Sequence, residues 1–243
     1  MSDKVQNALK AVASDLRAMA LATAPGERFG GEDTLIAKLG CSRSTIRQAA
    51  RVLEREGLLR VRRGPSGGYF ASRPDVDTIK ATVSVYLDAI QMDASHVTVL
   101  ASSLWVEAMR YAADADAPRR KEVTDRLRKK VNTVKDDAGF EDVRDLELFT
   151  QDAIFALADS PYIKLIFDIN VAFAQRRLGS LGSRDVAPVD QPAFVREWRS
   201  AKLLEILAIA EGNRDLAAFA GRASRKIWHR RVASRNPQLD ISR

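Results

Sequence analysis

The sequence predicts a mainly α protein: an N-terminal winged helix-turn-helix with a small β-hairpin wing, followed by an all-α helical bundle. Three observations carry this. Residues 1–73 show three stretches of helical periodicity and then an alternating run broken by a glycine-rich turn. From about residue 77 onward only helical periodicity is visible. The charge is also divided: residues 1–74 hold three Lys and ten Arg against seven acids, a net +6, whereas residues 75–243 hold 26 basic and 25 acidic side chains, a net +1.

Val5, Leu9, Val12, Leu16 and Met19 recur at the spacing of one helix face, giving a first amphipathic helix that Pro25-Gly26 breaks. A second short helix is expected over 32–39, with Leu35, Ile36 and Leu39 facing inward. Gly40-Cys41 then makes the turn, glycine tolerating the left-handed backbone that tight connections use. Ser42 is placed to cap a third helix, its hydroxyl accepting from an otherwise unpaired amide. That helix carries Ile46, Ala49, Ala50 and Leu53 inward and ends at Gly57. Leu59-Arg60-Val61-Arg62-Arg63 alternates, Gly64-Pro65-Ser66-Gly67-Gly68 turns, and Tyr69-Phe70-Ala71 returns, which reads as a β-hairpin. The predicted domains are therefore 1–73 for the winged helix-turn-helix and 74–78 for a linker, since proline drives its predecessor toward an extended conformation.

The remainder, 79–235, reads as one all-helical domain with helices expected at 77–91, 95–115, 119–137, 141–159, 161–180, 191–211 and 213–233. Ala117-Pro118, Ser160-Pro161, the loop 179–182, Ala187-Pro188 and Gly212-Asn213 separate them, and 236–243 reads as a polar tail. With 46% hydrophobic residues the chain has enough apolar surface to build a core, so a disordered chain is excluded. One cysteine, Cys41, excludes a disulfide framework and a cysteine-rich zinc site and fits a reducing compartment. The first ten residues lack a basic-then-apolar leader pattern and no stretch approaches ~20 uncharged apolar residues. A soluble cytoplasmic protein with no membrane partner is expected.

Lys and Arg concentrated in a small module are the electrostatic footprint of a polyanion binder. A helix-turn-helix presents the N-terminal turn of its second helix to base edges in the major groove. Here that turn is Ser42-Arg43-Ser44-Thr45-Ile46-Arg47, two arginines and three short hydroxyl side chains, with Ile46 turned back into the core. Arginine donates a fork to the two acceptors of guanine, and serine and threonine reach phosphate or base without demanding room. Arg62 and Arg63, beside a glycine-rich tip, suit contacts to the minor groove or backbone.

These residues resemble the GntR superfamily of bacterial repressors. The resemblance runs from Pro25-Gly26-Glu27-Arg28 through Leu35-Ile36-Ala37-Lys38-Leu39-Gly40 and Ser42-Arg43-Ser44-Thr45-Ile46-Arg47 to Leu53-Glu54-Arg55-Glu56-Gly57-Leu58 and the wing at 64–70. It implies a dimeric transcription factor on a pseudo-palindromic DNA operator, with contacts from Glu32, Ser42, Arg43, Ser44, Thr45, Arg47, Arg62, Arg63, Gly64, Ser66 and Gly67. It also implies a C-terminal domain that binds a small-molecule effector. Gly30-Gly31-Glu32-Asp33 stands where members usually carry Pro-Ser-Glu-Arg, so Asp33 puts a phosphate-repelling carboxylate where the family has a DNA-reading arginine. The helical remainder resembles the FadR-like branch through 104–113 with Glu107, 146–161, 203–218 and Lys226-Ile227-Trp228-His229-Arg230.

Many relatives in that branch bind a divalent metal through one Asp and three His. The matching positions here are Glu147, Gln151, Lys202 and Ser224, and the whole chain has only His96 and His229, so no metal cofactor is expected. His229 reads as a packed or surface histidine beside Trp228. An arginine that relatives place four residues before Glu107 is Ser103 here, which leaves Arg110, Arg176, Arg177 or Lys202 for an effector carboxylate. Loss of both features favours an acyl-CoA or other largely apolar effector, with Glu107, Arg110, Glu147, Gln151, Arg176, Arg177, Lys202 and Ser224 as candidate contacts. The plainer alternative makes Glu107, Glu147 and Gln151 polar groups that merely close the bundle.

No Gly-x-Ser-x-Gly elbow, P-loop or His-Glu-x-x-His occurs, and Gly64-Pro65-Ser66-Gly67-Gly68 precedes a strand rather than opening a helix. Asp136-Asp137 and Asp114/Asp116 fall at helix ends, where solvation accounts for them. A ligand-controlled regulator is therefore expected rather than an enzyme. The runner-up is an architectural nucleic-acid-binding protein with no effector.

Overall fold

The computed structural model describes residues 3–64, 66–179 and 190–233. Pro65 of the wing tip, the predicted breakers between 180 and 189, and the polar tail at 236–243 lie outside the described residues. The chain divides into two compact units, Met1–Ile79 and Lys80–Arg243.

The first unit runs α1 (Asp3–Ala22), β1 (Arg28–Gly30), α2 (Glu32–Leu39), α3 (Arg43–Arg55), β2 (Leu59–Arg62) and β3 (Gly68–Ala71). Ile46, Ala49, Ala50 and Leu53 of α3, at helical spacing, are buried with Val12, Ala13 and Leu16 of α1 and Leu35 of α2. The ends of α3 are tied as well. Ser42 Oγ accepts from the Thr45 amide at 3.2 Å, Glu54 Oε1 accepts from the Val61 amide at 3.0 Å, and Arg17 of α1 forks onto Glu56 at 2.8 Å.

One feature departs from the sequence reading. The wing is a three-stranded sheet of order β1-β3-β2 rather than a two-stranded hairpin: Arg28–Gly30 pairs antiparallel with β3 beside the expected β2–β3 ladder. Three residues are too short a run to show alternation. Arg73, the last residue of the predicted first domain, caps α1, donating to the carbonyls of Ala20, Leu21 and Thr23, each at 3.0 Å.

The second unit is built from α4 (Val76–Ala89), which begins within the first, α5 (Ala94–Asp114), α6 (Ala117–Asn132), α7 (Phe140–Ala158), α8 (Pro161–Gly179), α9 (Gln191–Ala210) and α10 (Arg214–Ala233). α5 packs against α7, α8, α9 and α10, and α9 also packs on α6 and α10. Trp105 of α5 lies against Phe155 and Phe167, centroids 5.6 and 6.1 Å away, while Phe140, Phe194 and Trp228 form a second aromatic group.

α6 is the helix placed least well from sequence. It starts at Ala117 because Pro118 is tolerated in a first turn, where its missing N–H has no intrahelical partner to lose. It stops at Asn132, five residues short of the expected end, with the Thr133 hydroxyl and amide both turned back onto the Lys130 carbonyl.

The wing turn depends on Gly68, whose φ is +142° and whose added Cβ would lie 2.6 Å from the Gly30 carbonyl oxygen. Gly68→Ala is expected to destabilise the first unit by about 1–3 kcal/mol, read as a lower urea midpoint, because it adds backbone strain and pushes β1 from β3.

Candidate nucleic-acid interface and buried charge cluster

Burial of Ile46, Ala49, Ala50 and Leu53 forces Arg43, Ser44 and Arg47 of α3 onto the exposed side. Ser42 Oγ lies 2.8 Å from both Ser44 Oγ and Thr45 Oγ1, so three hydroxyls cluster at the helix start. The two arginines are one turn apart and both are held by acids of α2. Arg43 Nη2 donates to Asp33 Oδ1 at 2.7 Å, and Glu32 Oε1 lies 3.1 Å from both Arg43 Nε and Arg47 Nε. Arg47 also donates to Glu32 Oε2 at 3.2 and 3.3 Å.

These pairs are exposed: the Arg43, Arg47 and Asp33 side chains are 59%, 60% and 85% accessible, although Glu32 is only 26% accessible. Pairs of this kind are worth about 0–1 kcal/mol, less than the ~1–3 kcal/mol of a bidentate arginine–guanine contact, so they are weak enough for a competing ligand of that kind to displace.

In the wing, the Arg62 guanidinium lies 4.5 Å over the Phe70 ring, which orients it, and Arg63, Gly64 and Ser66 are exposed. Gly67 accepts from Arg28 Nε at 2.9 Å, and a Cβ on it would fall 2.4 Å from the Arg62 carbonyl oxygen. Arg28 entered the sequence reading only within Pro25-Gly26-Glu27-Arg28, not as a candidate contact.

The candidate effector residues separate into three groups. Glu147, Gln151, Lys202 and Ser224 converge inside the second unit, all buried. Lys202 Nζ lies 2.9 Å from Glu147 Oε2 and 2.7 Å from Glu205 Oε2. Gln151 Nε2 and Trp198 Nε1 each donate to Glu147 at 2.8 Å. Trp105 Nε1 donates to Glu205 at 2.8 Å, and the Ser224 hydroxyl donates to the same carboxylate oxygen. Glu205, Trp105 and Trp198 were missed from sequence, although a Lys and a Glu three apart on an otherwise apolar stretch of α9 do signal a buried pair.

Burial works against charge on all three groups. On Glu147 the Lys202 ammonium and the hydrogen bonds from Trp198 and Lys202 outweigh it and hold the carboxyl below its ordinary value. On Lys202 the two carboxylates outweigh it and raise the ammonium above its ordinary value. On Glu205 burial wins and the carboxyl is raised.

This donor set does not fit a divalent metal. It supplies no imidazole, and the ammonium already occupies the space between the two carboxylates. Among the described residues no group of three or more His, Cys, Asp or Glu is placed to hold a metal ion.

Arg176 and Arg177 lie elsewhere, both paired with Asp88 of α4, Arg177 Nε at 3.0 Å. Glu107 and Arg110 form a third group, an ion pair one turn apart on α5. The structure thus brings four of the eight candidates together, in a cluster whose charged groups already have partners. Ser102 Oγ lies 2.9 Å from His229 Nε2, and burial together with the Arg225 charge pushes this histidine down to about 4. His229 is therefore uncharged near pH 7.

The first unit has the architecture of a DNA-binding regulatory domain: a capped, arginine-bearing helix behind a small wing. Residues 9–67 match the family described as "Bacterial regulatory proteins, gntR family", so the N-terminal domain is a GntR-family helix-turn-helix. No curated protein matches the chain. Among solved structures, Streptococcus agalactiae GntR is similar with a TM-score of 0.64 and 18% identity, over 92% of this chain and 99% of that one. Escherichia coli McbR/YncC matches with a TM-score of 0.40 and 15% identity, over 98% and 99%. A GntR family member from Pseudomonas syringae pv. tomato matches with a TM-score of 0.34 and 17% identity, over 95% and 88%. The likeness to the first is one of fold. Among the described residues no helix is long and apolar enough to cross a membrane.

Two outcomes are expected. Asp33→Asn removes one of the two carboxylates paired with Arg43, leaving Glu32, and takes a negative charge off the candidate DNA face, so affinity for any duplex should rise about two- to fivefold in a gel-shift or anisotropy titration at fixed salt. Lys202→Met leaves two buried carboxylates facing each other and should lower unfolding free energy by about 3–5 kcal/mol at pH 7. The loss should shrink as pH falls and Glu147 and Glu205 take up protons, which denaturant titrations at pH 7 and pH 5 would show.

Proposed function

We propose that the protein is a ligand-responsive transcriptional regulator, acting as a repressor, that binds a pseudo-palindromic operator as a homodimer. The observation that supports it most is the GntR-family helix-turn-helix domain with Arg43, Ser44 and Arg47 exposed at the start of α3. Arg43 and Arg47 read bases, with Ser42, Ser44 and Thr45 on bases or phosphates, and the backbone amides at the start of α3 point toward a phosphate. Glu32 acts from α2 by positioning both arginines. Arg62, Arg63, Gly64, Ser66 and Gly67 supply the wing contacts, Arg62 held in place by Phe70. One helix of 13 residues spans few base pairs, so a second recognition helix on a symmetric half-site raises both affinity and specificity.

The helical unit binds the effector, an acyl-CoA or another metabolite with a large apolar part. Because the polar groups of Glu147, Gln151, Lys202 and Ser224 already have partners, these side chains serve the bundle rather than a ligand. An effector changes operator affinity only if it binds DNA-competent and DNA-incompetent arrangements unequally.

Selection of genomic fragments against random competitor at physiological ionic strength tests the reading. In that assay Arg43→Ala/Arg47→Ala should lose about 1–3 kcal/mol of discrimination for each base contact removed. Arg62→Ala should instead weaken all sequences alike and flatten the salt dependence by about one unit of slope. Equal operator preference in the double variant would overturn the assignment of α3.

A further inference from the structure

α5, α9 and α10 bound a cleft of about 1550 Å3, larger than the roughly 300–1,000 Å3 of a pocket for a drug-sized molecule. Its walls combine apolar side chains, among them Val99, Val106, Leu204 and Ile227, with six Lys or Arg and only two acids. Both acids are taken: Glu107 pairs with Arg110, and Glu197 pairs with Arg230 at 2.8 Å. Arg196 lies 3.6 Å from Asp136. Arg225 has the carboxylates of Glu147 and Glu205 acting on it electrostatically, yet its buried Nε has no hydrogen-bond partner.

Arg222 and Lys226 remain. They are exposed, one turn apart on α10, and neither has an ion-pair partner among the described residues. Like charges at that spacing repel, so α10 holds a local excess of positive charge beside an apolar wall. His229, neutral and hydrogen-bonded to Ser102, adds a polar group without adding charge.

We propose that this cleft is the ligand site of the helical unit and that its ligand is an organic anion with an apolar body. Arg222 and Lys226 pair with the anionic group, and Val99, Val106, Leu204 and Ile227 cover the apolar part. The inference rests on the reading of the helical unit as effector-binding and moves the contacts away from Glu147, Gln151, Lys202 and Ser224.

The test is direct binding to the full chain, read by intrinsic tryptophan fluorescence and thermal shift below the micelle concentration of each probe. The probes are dodecanoate, dodecyl phosphate and, as the uncharged control, dodecanol. Saturable binding of one or both anions with a raised melting temperature, and binding of dodecanol at least tenfold weaker, is the expected result. Comparison of the two anions separates a carboxylate ligand from a phosphate ligand. Arg222→Ala/Lys226→Ala removes exposed side chains, so the unliganded melting temperature and operator affinity should be unchanged while anion affinity falls about tenfold or more.

Three outcomes overturn the proposal: no saturable binding of either anion, dodecanol binding as tightly as the anions, or unchanged anion affinity in the double variant. A protein that keeps its operator preference but shows any of these loses the cleft assignment alone. Loss of operator preference in the unaltered protein would instead remove the regulatory reading.

Discussion

The exposed arginine face follows from one packing constraint: α3 has a single apolar face and must bury it. Ala49 and Ala50 are small enough to let α1 approach closely, and Ile46 and Leu53 fill the space at either end of that contact. Removing these side chains from water outweighs any preference of the flanking polar residues, so Arg43, Ser44 and Arg47 have only the outer side available. The caps and ties at both ends of α3 then fix where that outer side begins. Little is left for a ligand to induce: the side chains proposed to face a duplex sit on a helix fixed at both ends, and binding there would spend little energy ordering the backbone that carries them.

The helical unit answers the opposite problem, charge within a core. Lys202 and Glu205 are essentially inaccessible to water and Glu147 nearly so. An isolated ammonium at that depth would lose its proton, and isolated carboxylates would gain one. Two carboxylates around one ammonium, with two indoles, an amide and a hydroxyl completing the hydrogen bonds, make the charged state tolerable without making the bundle more stable than an apolar core would. What the cluster does achieve is registration of α5, α7, α9 and α10 on one another, since Trp105, Glu147, Lys202, Glu205 and Ser224 come from all four helices. A cluster whose carboxylates are all engaged has little to offer an incoming solute.

The first unit was legible in the sequence where residues act through their neighbours. Ser42 reads as a cap because its partner is three residues away, and the inner face of α3 is written in its own periodicity. β1 was not legible, because Arg28–Gly30 becomes a strand only through pairing with residues some forty positions later. The same limit governs the sites. The aligned positions Glu147, Gln151, Lys202 and Ser224 do meet, but nothing local to them shows that Glu205 and two indoles complete the group. Arg222 and Lys226 look like an ordinary solvated helix face until α5 and α9 are seen to wall in their other side. The end of α6 was overrun because Val131 and Val134 keep a helical spacing after the backbone has turned at Thr133.

The two cationic surfaces differ in a way that matches the size of their proposed partners. Arg43 and Arg47 are neutralised at rest by Glu32 and Asp33, whereas Arg222 and Lys226 have no such counter-ions among the described residues. Double-stranded DNA presents one phosphate for every ~1.7 Å of its axis, and counter-ion release adds to each contact, so a duplex displaces a weak surface carboxylate readily. Acids beside the recognition helix therefore cost little affinity for the operator while lowering the attraction of any stray anion. A small ligand brings only one or two charges and gains no comparable release of ions. It competes poorly with a tethered carboxylate, whose effective concentration is in the millimolar range. A site for such a ligand has to leave some of its cations unpaired and rely on apolar burial for the rest of its affinity, and in the α5–α9–α10 cleft Arg222 and Lys226 meet that condition among the described residues.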